Sequence, residues 1–272
     1  MPTKRGLFLR GALVAAALLA TSATSAMAQS GTALQQILSR GTIRIAILPS
    51  LPPYSKLLPN GDAEGYDIDI ARRLADALKV KPEFVVTDIA GRITSLQTHK
   101  VDVTIADFTR NVERSTTIAF TNPYLVTAMR MLAPADAKVK SLAEMADGTG
   151  YKIAIDRGGT ADKVVPAAFP KATLVRFSGQ ADQMSALLNG QADMMAEDQF
   201  YNLQAIKDRP GKLKQLDGVL ARAEIAIGLP QGEPDLLRIL NLFVDQFNAS
   251  GDNAKLFEKW FGFEQPKIQV QY

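Results

Sequence analysis

Residues 91–124 read GRITSLQTHKVDVTIADFTRNVERSTTIAFTNPY. The order within this stretch is helix, tight turn, buried strand, polar loop and the start of a second helix. The strand is expected over residues 101–106, where apolar positions run almost unbroken. It hands over to Asp107, Thr109, Asn111 and Arg114, a cluster of hydroxyl, amide and guanidinium groups. A strand end that feeds donors into a loop before a helix is where α/β folds bind small anions. An arginine there can grip a carboxylate through two parallel hydrogen bonds, which lysine cannot match. The alternative is that Arg114 only pairs with Glu113 or Asp107 on a solvated face.

Outward from this stretch, strands and helices alternate. Toward the N-terminus, strands are expected over residues 42–48 and 83–86. Between them, residues 66–78 (YDIDIARRLADAL) carry a helical period. The four prolines of residues 49–59 imply loop, and Asn60-Gly61 a hairpin tip. Residues 89–98 are expected to be helical. Strands are expected over 119–124 and 128–133. This βαβαβ rhythm predicts an α/β fold, a mainly parallel sheet with helices on both faces.

The texture changes near Pro134-Ala135-Asp136, and the layout then repeats. Ser141 and Glu144 have the spacing of a capping box for a short helix. Strands are expected over 152–155, 172–177 and 192–196, with helices reaching Ala168 and over 180–188 and 201–208. A last strand, 224–229, leads into helices over 234–250 and 255–261. Two similar α/β units, with the C-terminal part returning to the first, predict two lobes joined by two crossovers. The lobes comprise residues 29–134 with 224–272, and 135–223; hinges are expected near 133–136 and 221–226. Such a molecule closes around a ligand held at the strand ends between the lobes.

The second lobe has its own candidates. Gly158-Gly159-Thr160 lies between a strand and a helix, where backbone N–H groups can approach an anion; a plain turn with an N-cap is the alternative. Asp198 ends a strand, placed either to receive a ligand ammonium or to cap the next helix. Glu197, beside it, is expected to point to the other face.

Lys4, Arg5 and Arg10, an apolar run too short to span a bilayer, and Ala26-Met27-Ala28 make residues 1–28 an expected secretory signal peptide. General and twin-arginine export both remain open. Removing those three basic residues takes the formal charge from +3 to about 0, so basicity gives no argument for nucleic acid. With no cysteine, disulfides, thiol nucleophiles and a lipidated cysteine are excluded; with one histidine, His99, a His-rich metal site is too. No cofactor or metal is expected. At 47% hydrophobic and 22% charged, the chain is globular.

Five segments in this order, GTIRIAI with LPPYS, EGYDIDIARRLADAL, RITSLQTHKVDVTIADFTRNVERSTTIAFTNPY, KIAIDRGGTADK and NGQADMMAEDQ, resemble the periplasmic solute-binding proteins of amino-acid ABC transporters, the family 3 type. The resemblance implies a two-lobed fold, a bound L-α-amino acid, a permease partner in the inner membrane, a periplasmic location and a monomer. It implies that Arg114 grips the ligand carboxylate with Thr109, Gly159 and Thr160, and that Asp198 and the Ala106 carbonyl take the ammonium. Leu51, Ile89, Asp107, Asp156 and Ala161 would line the side-chain pocket. The Leu51 position often carries an aromatic in the family, which leaves open whether Tyr54 takes over. Asp107 and Asp156 stand where small or apolar residues are common. Facing the cleft, they favour a polar or cationic side chain; paired with Arg110 or Arg157, they say nothing of the ligand.

Two other functions share this fold. Cyclohexadienyl dehydratases resemble it with a catalytic acid in the cleft, a role open to Asp107, Asp156 or Glu197; turnover of prephenate or arogenate separates them from binding proteins. A sensor module would present the same ligand to a membrane receptor.

Overall fold

The alternation of strands and helices is realised within residues 31–266, which the computed structural model describes. The expected signal peptide, residues 1–28, lies outside them. From Ala33 onward the described residues form one compact unit. It begins with a helix the sequence reading left out, α1 (Ala33–Arg40), then β1 (Thr42–Ile47). The proline-rich span expected as loop instead carries β2 (Ser50–Leu51) and β3 (Ser55–Leu57), which pair antiparallel and continue to β4 (Ala63–Glu64). Its prolines fall outside these short pairings, where no ladder N–H is required. Asn60-Gly61 does lie in the β3–β4 turn.

Helix α2 (Tyr66–Leu78) buries Ile68, Ile70, Ala71 and Leu74 on one face. Gly65 ahead of it has φ 136°, and a Cβ there would lie 2.2 Å from the Tyr54 carbonyl oxygen, so only glycine fits. After β5 (Lys81–Val86) and α3 (Gly91–Gln97) comes β6. It pairs only over Val103–Thr104, although residues 101–106 are all buried as expected. Helix α4 (Val112–Ser115) follows.

The two strands expected over 119–133 are one, β7 (Ala119–Pro134). Pro123 is accommodated where the pairing with β12 shifts register, a usual place for a residue with no N–H. A 3₁₀ turn (Leu142–Met145) comes next. No Ser141 side-chain cap forms there; Glu144 does the capping, accepting from the Lys140 N–H at 3.0 Å and the Ser141 hydroxyl at 3.3 Å. The second half then runs β8 (Lys152–Asp156), α5 (Ala161–Ala168), β9 (Thr173–Phe177), α6 (Gln180–Leu188), β10 (Met194–Asp198), α7 (Gln199–Asp208) and β11 (Leu213–Gln215). The chain returns along β12 (Ala221–Leu229) to α8 (Pro234–Ala249) and α9 (Asp252–Phe261).

Sheet order is β5-β1-β6-β12-β7-β10-β8-β9, with β11 on β7. Within each half the pairs β1–β5, β1–β6, β8–β9 and β8–β10 are parallel. The antiparallel strands β7 and β12 join the halves. One core gathers Ile45, Ile68, Leu74 and Leu240; another packs Met131, Ile153, Val165 and Met194 in the second half. The C-terminal helix α9 spans the division. Phe257 and Phe261 stack at 4.1 Å, and Phe200 of α7 meets both edge-on at 5.3 and 5.2 Å. Asp69 of α2 holds Lys259 and Trp260 of α9 at 2.6 and 2.9 Å.

Candidate functional site

Both halves present their strand ends to a common centre. From the first, α4 starts at Asn111, whose side chain accepts the Arg114 N–H at 2.8 Å. This cap fixes the helix and aims its arginine inward. Arg114 is 9% exposed. Its guanidinium donates to the Thr109 carbonyl at 2.8 Å and, across to the second half, to the Gly158 carbonyl at 3.4 Å. Burial and the nearby Arg92 bring its pKa down to about 10, which still leaves it cationic at neutral pH. Pairing on a solvated face is thus overturned: Glu113 instead bonds Lys163 of the second half.

Arg92, which the sequence reading did not single out, is 4% exposed on the inner face of α3. It donates through Nη1 to the carbonyls of Ala106 and Asp107, both at 3.0 Å. Both guanidiniums lie against the Phe108 ring, at 4.7 Å for Arg92 and 5.2 Å for Arg114.

Carboxylates fill the other side. Asp198 caps α7, accepting from the N–H groups of Phe200 (2.7 Å) and Tyr201 (3.3 Å), from the Tyr54 hydroxyl (2.9 Å) and from Thr127 Oγ1 (2.5 Å). The capping alternative for Asp198 is therefore realised, and the cap also reaches the first half through Tyr54. Glu197 takes the Asp198 N–H on Oε1 at 2.9 Å. It too is buried, and the field of Asp156 acts on it. Parallel β8–β10 pairing explains this, because extending its register by two residues sets Glu197 beside Asp156.

Asp67 of α2 completes the group, accepting from Tyr124 Oη at 2.9 Å and the Asp107 N–H at 2.7 Å. That last bond holds Asp107 at φ 44°, a left-handed conformation tolerated by Asp but strained. Burial raises all these acids: Asp67 to about 7, and Asp107, Asp156, Glu197 and Asp198 upward as well. Asp107 is not the partner of Arg110, which pairs with Glu224 at 2.6 Å.

Arg114, Gly159 and Thr160 line one crevice between the halves, of about 350 Å³. Thr160 Oγ1 donates to Thr109 Oγ1 at 3.2 Å. Gly159 is tightly constrained: a Cβ would lie 1.4 Å from Asp156 Oδ2. Tyr54 meets Asp198, while the Ala106 carbonyl is taken by Arg92. Leu51 and Ile89 are buried in the first core, and Ala161 in that of the second half. A larger hollow of about 420 Å³, lined by Pro134, Lys138, Tyr151 and Asp193, contains none of these residues. Arg92 and Asp67 had a readable signal. Asp67 lies on the apolar face of its helix, three, four and seven residues before Ile70, Ala71 and Leu74. Arg92 shares a face with Leu96.

Two α/β halves, linked by paired long strands and bringing buried arginine and carboxylate groups to their division, define a two-lobed binding protein of the periplasmic type. The chain belongs to the bacterial extracellular solute-binding proteins, family 3, whose model matches residues 43–263. It is 29% identical over 231 residues to the L-arginine-binding protein of Pseudomonas aeruginosa, covering 82% of this chain and 88% of that one. It is 27% identical over 186 residues to the cyclohexadienyl dehydratase of the same organism, covering 68% and 69%. Among solved structures it resembles the ancestral amino acid-binding protein AncCDT-1, a precursor of cyclohexadienyl dehydratase. The TM-score is 0.78 and the identity 31%, over 85% of this chain and all of the other.

Proposed function

We propose that the protein binds an α-amino acid between its halves in the periplasm and delivers it, as a monomer, to an ABC permease. The observation that carries this is Arg114: a buried guanidinium from one half, in one crevice with Gly159 and Thr160 of the other; Asp198, outside the lining of that crevice, meets the first half at Tyr54. Arg114, with Thr109, Gly159 and Thr160, takes the ligand carboxylate; Asp198 takes the ammonium, with the Ala106 carbonyl beside it. Lobes of residues 29–134 with 224–272 and of 135–223 hinge along β7 and β12. Because Met129–Leu132 already pair with β10, the working crossover falls within β7. Closure places both ion pairs in a medium of lower dielectric, where each strengthens, and the permease reads the closed surface.

Calorimetry tests this directly. Arg114→Ala is expected to weaken amino-acid binding by about 100-fold or more while the protein stays folded, given the cost of leaving a buried carboxylate unpaired. Near-normal affinity would reject the site.

A dehydratase is the second reading, favoured by the buried, raised acid Glu197 and by the dehydratase relative. Release of phenylpyruvate from prephenate, or of phenylalanine from arogenate, abolished in Glu197→Gln, would establish it.

A further inference from the structure

Tyr54 stands in the turn between β2 and β3 of the first half and is fully buried. Its ring is held edge-on by Tyr66 at 6.4 Å and Phe261 at 5.3 Å. Its backbone is fixed on both sides: the N–H donates to the Leu51 carbonyl and the carbonyl accepts from the Asp67 N–H, each at 2.9 Å. A phenylalanine would fill the same space and keep all of these contacts. Only the hydroxyl does more, crossing to the second half and donating to Asp198 Oδ1 at 2.9 Å.

Three donors thus converge on one oxygen of Asp198. Oδ1 accepts from Tyr54 and from the N–H groups of Phe200 and Tyr201, whereas Oδ2 accepts, among the described residues, from Thr127 Oγ1 alone. A carboxylate offers about two lone-pair sites on each oxygen, so Oδ1 is saturated and Oδ2 keeps room for a further donor. Asp198 lies opposite Met129 of β7, beside the crossover between the halves. A hinge rotation displaces atoms least near its axis, so the Tyr54 tie at this place can hold while the halves part.

We propose that Tyr54 is a positioning residue for ligand recognition: its hydroxyl fastens the Asp198 carboxylate of the second half to the first and leaves Oδ2 as the oxygen that meets the ligand ammonium. This role rests on the amino-acid site proposed above and adds to it a residue that touches the acid, not the ligand. The charge of Asp198 depends on the same bond. Burial raises its pKa, while Thr127, Tyr54 and the two N–H groups lower it. The surrounding acids also oppose ionisation: Asp67 from α2, Asp107 after β6 and Glu197 on β10 share a field with Asp198, and Arg92 of α3 counters it at Asp67 and Asp107. Tyr54 stays protonated, because burial and the field of Asp198 raise its own pKa well above the ordinary tyrosine value. Without that donor Asp198 takes up a proton at higher pH, and a neutral acid holds an ammonium more weakly than a carboxylate does.

The test is Tyr54→Phe, near-isosteric and checked for folding by thermal melting, with two readouts. The first is calorimetry with glutamine, arginine and the other standard amino acids, using those that the native protein binds. The variant is expected to bind them about tenfold more weakly at neutral pH. That deficit should widen toward about pH 5.5 and narrow toward about pH 8.5, as Asp198 gains and loses its proton. The second readout needs no ligand: the Asp198 carboxyl carbon resonance, assigned by its absence in Asp198→Asn, is expected to titrate at higher pH in Tyr54→Phe than in the native protein. A deficit that is missing or equal at every pH, or an Asp198 titration that does not move, overturns the role of Tyr54 and leaves the amino-acid site standing. If the native protein binds none of the standard amino acids, both fall.

Discussion

Asp198 accepts four hydrogen bonds, from two backbone N–H groups, Tyr54 and Thr127. One residue earlier, Glu197 accepts the Asp198 N–H, but its Oε2, like Oδ1 of Asp156 on the neighbouring strand, has no hydrogen-bond partner among the described residues. The difference separates two uses of a buried acid. Asp198 is built into the frame, tying the start of α7 to Tyr54 and β7, so its position is set before any ligand arrives. Asp156 and Glu197 have fewer ties (for Glu197, that N–H and the Gln180 side chain), and each keeps unspent acceptor capacity.

The sharpest way to break this comparison is Asp198→Ala. Removing one acceptor strands two hydroxyls and two helix N–H groups, and is expected to cost about 3 kcal/mol in denaturant unfolding. A loss no larger than that of a surface substitution would show that Asp198 is no frame residue. Gly159→Ala comes next. Its methyl would occupy the space of Asp156 Oδ2, so a destabilisation of about 2 kcal/mol is expected, partly recovered when Asp156 is also made smaller. Glu197→Gln should act in the opposite direction from Asp198→Ala, raising stability by up to about 1 kcal/mol as like-charge crowding is relieved.

The acids also give a pH dependence of stated sign. Asp67 is raised to about 7, and Glu197 and Asp156 upward, chiefly by burial. The folded state therefore binds more protons than the unfolded chain between ordinary carboxyl values and neutrality. Stability should increase as pH falls through that window, read as a melting temperature higher at about pH 5.5 than at about pH 7.5. A lower one would mean that these acids ionise freely in the fold. The smallest effect is expected at the exposed Glu113–Lys163 pair, where Glu113→Gln should leave the melting temperature unchanged.

Much of this was legible in the chain because periodicity reports burial. Helix α6 (Gln180–Leu188) has the bounds its pattern predicted, and the GGT and Asp198 signals stand at the strand ends where they were expected. Pairing geometry was not legible. A two-residue strand such as β6 has no period of its own, and the unity of β7 depends on β12, whose bulge accommodates Pro123. Nor could sequence tell saturated from unsaturated acids, because Tyr54 and Thr127 come to Asp198 from 144 and 71 residues away. Arg92 escaped notice because an arginine in a helix reads as solvated unless its face is counted.

The aromatic seat of α9 constrains how the molecule is made. Phe200 rests on Phe257 and Phe261, and Asp69 waits for Lys259 and Trp260. Residues near the start and in the middle of the chain thus depend on its closing segment. During synthesis these contacts cannot form until that segment has emerged, so the nascent polypeptide remains short of its finished packing until then.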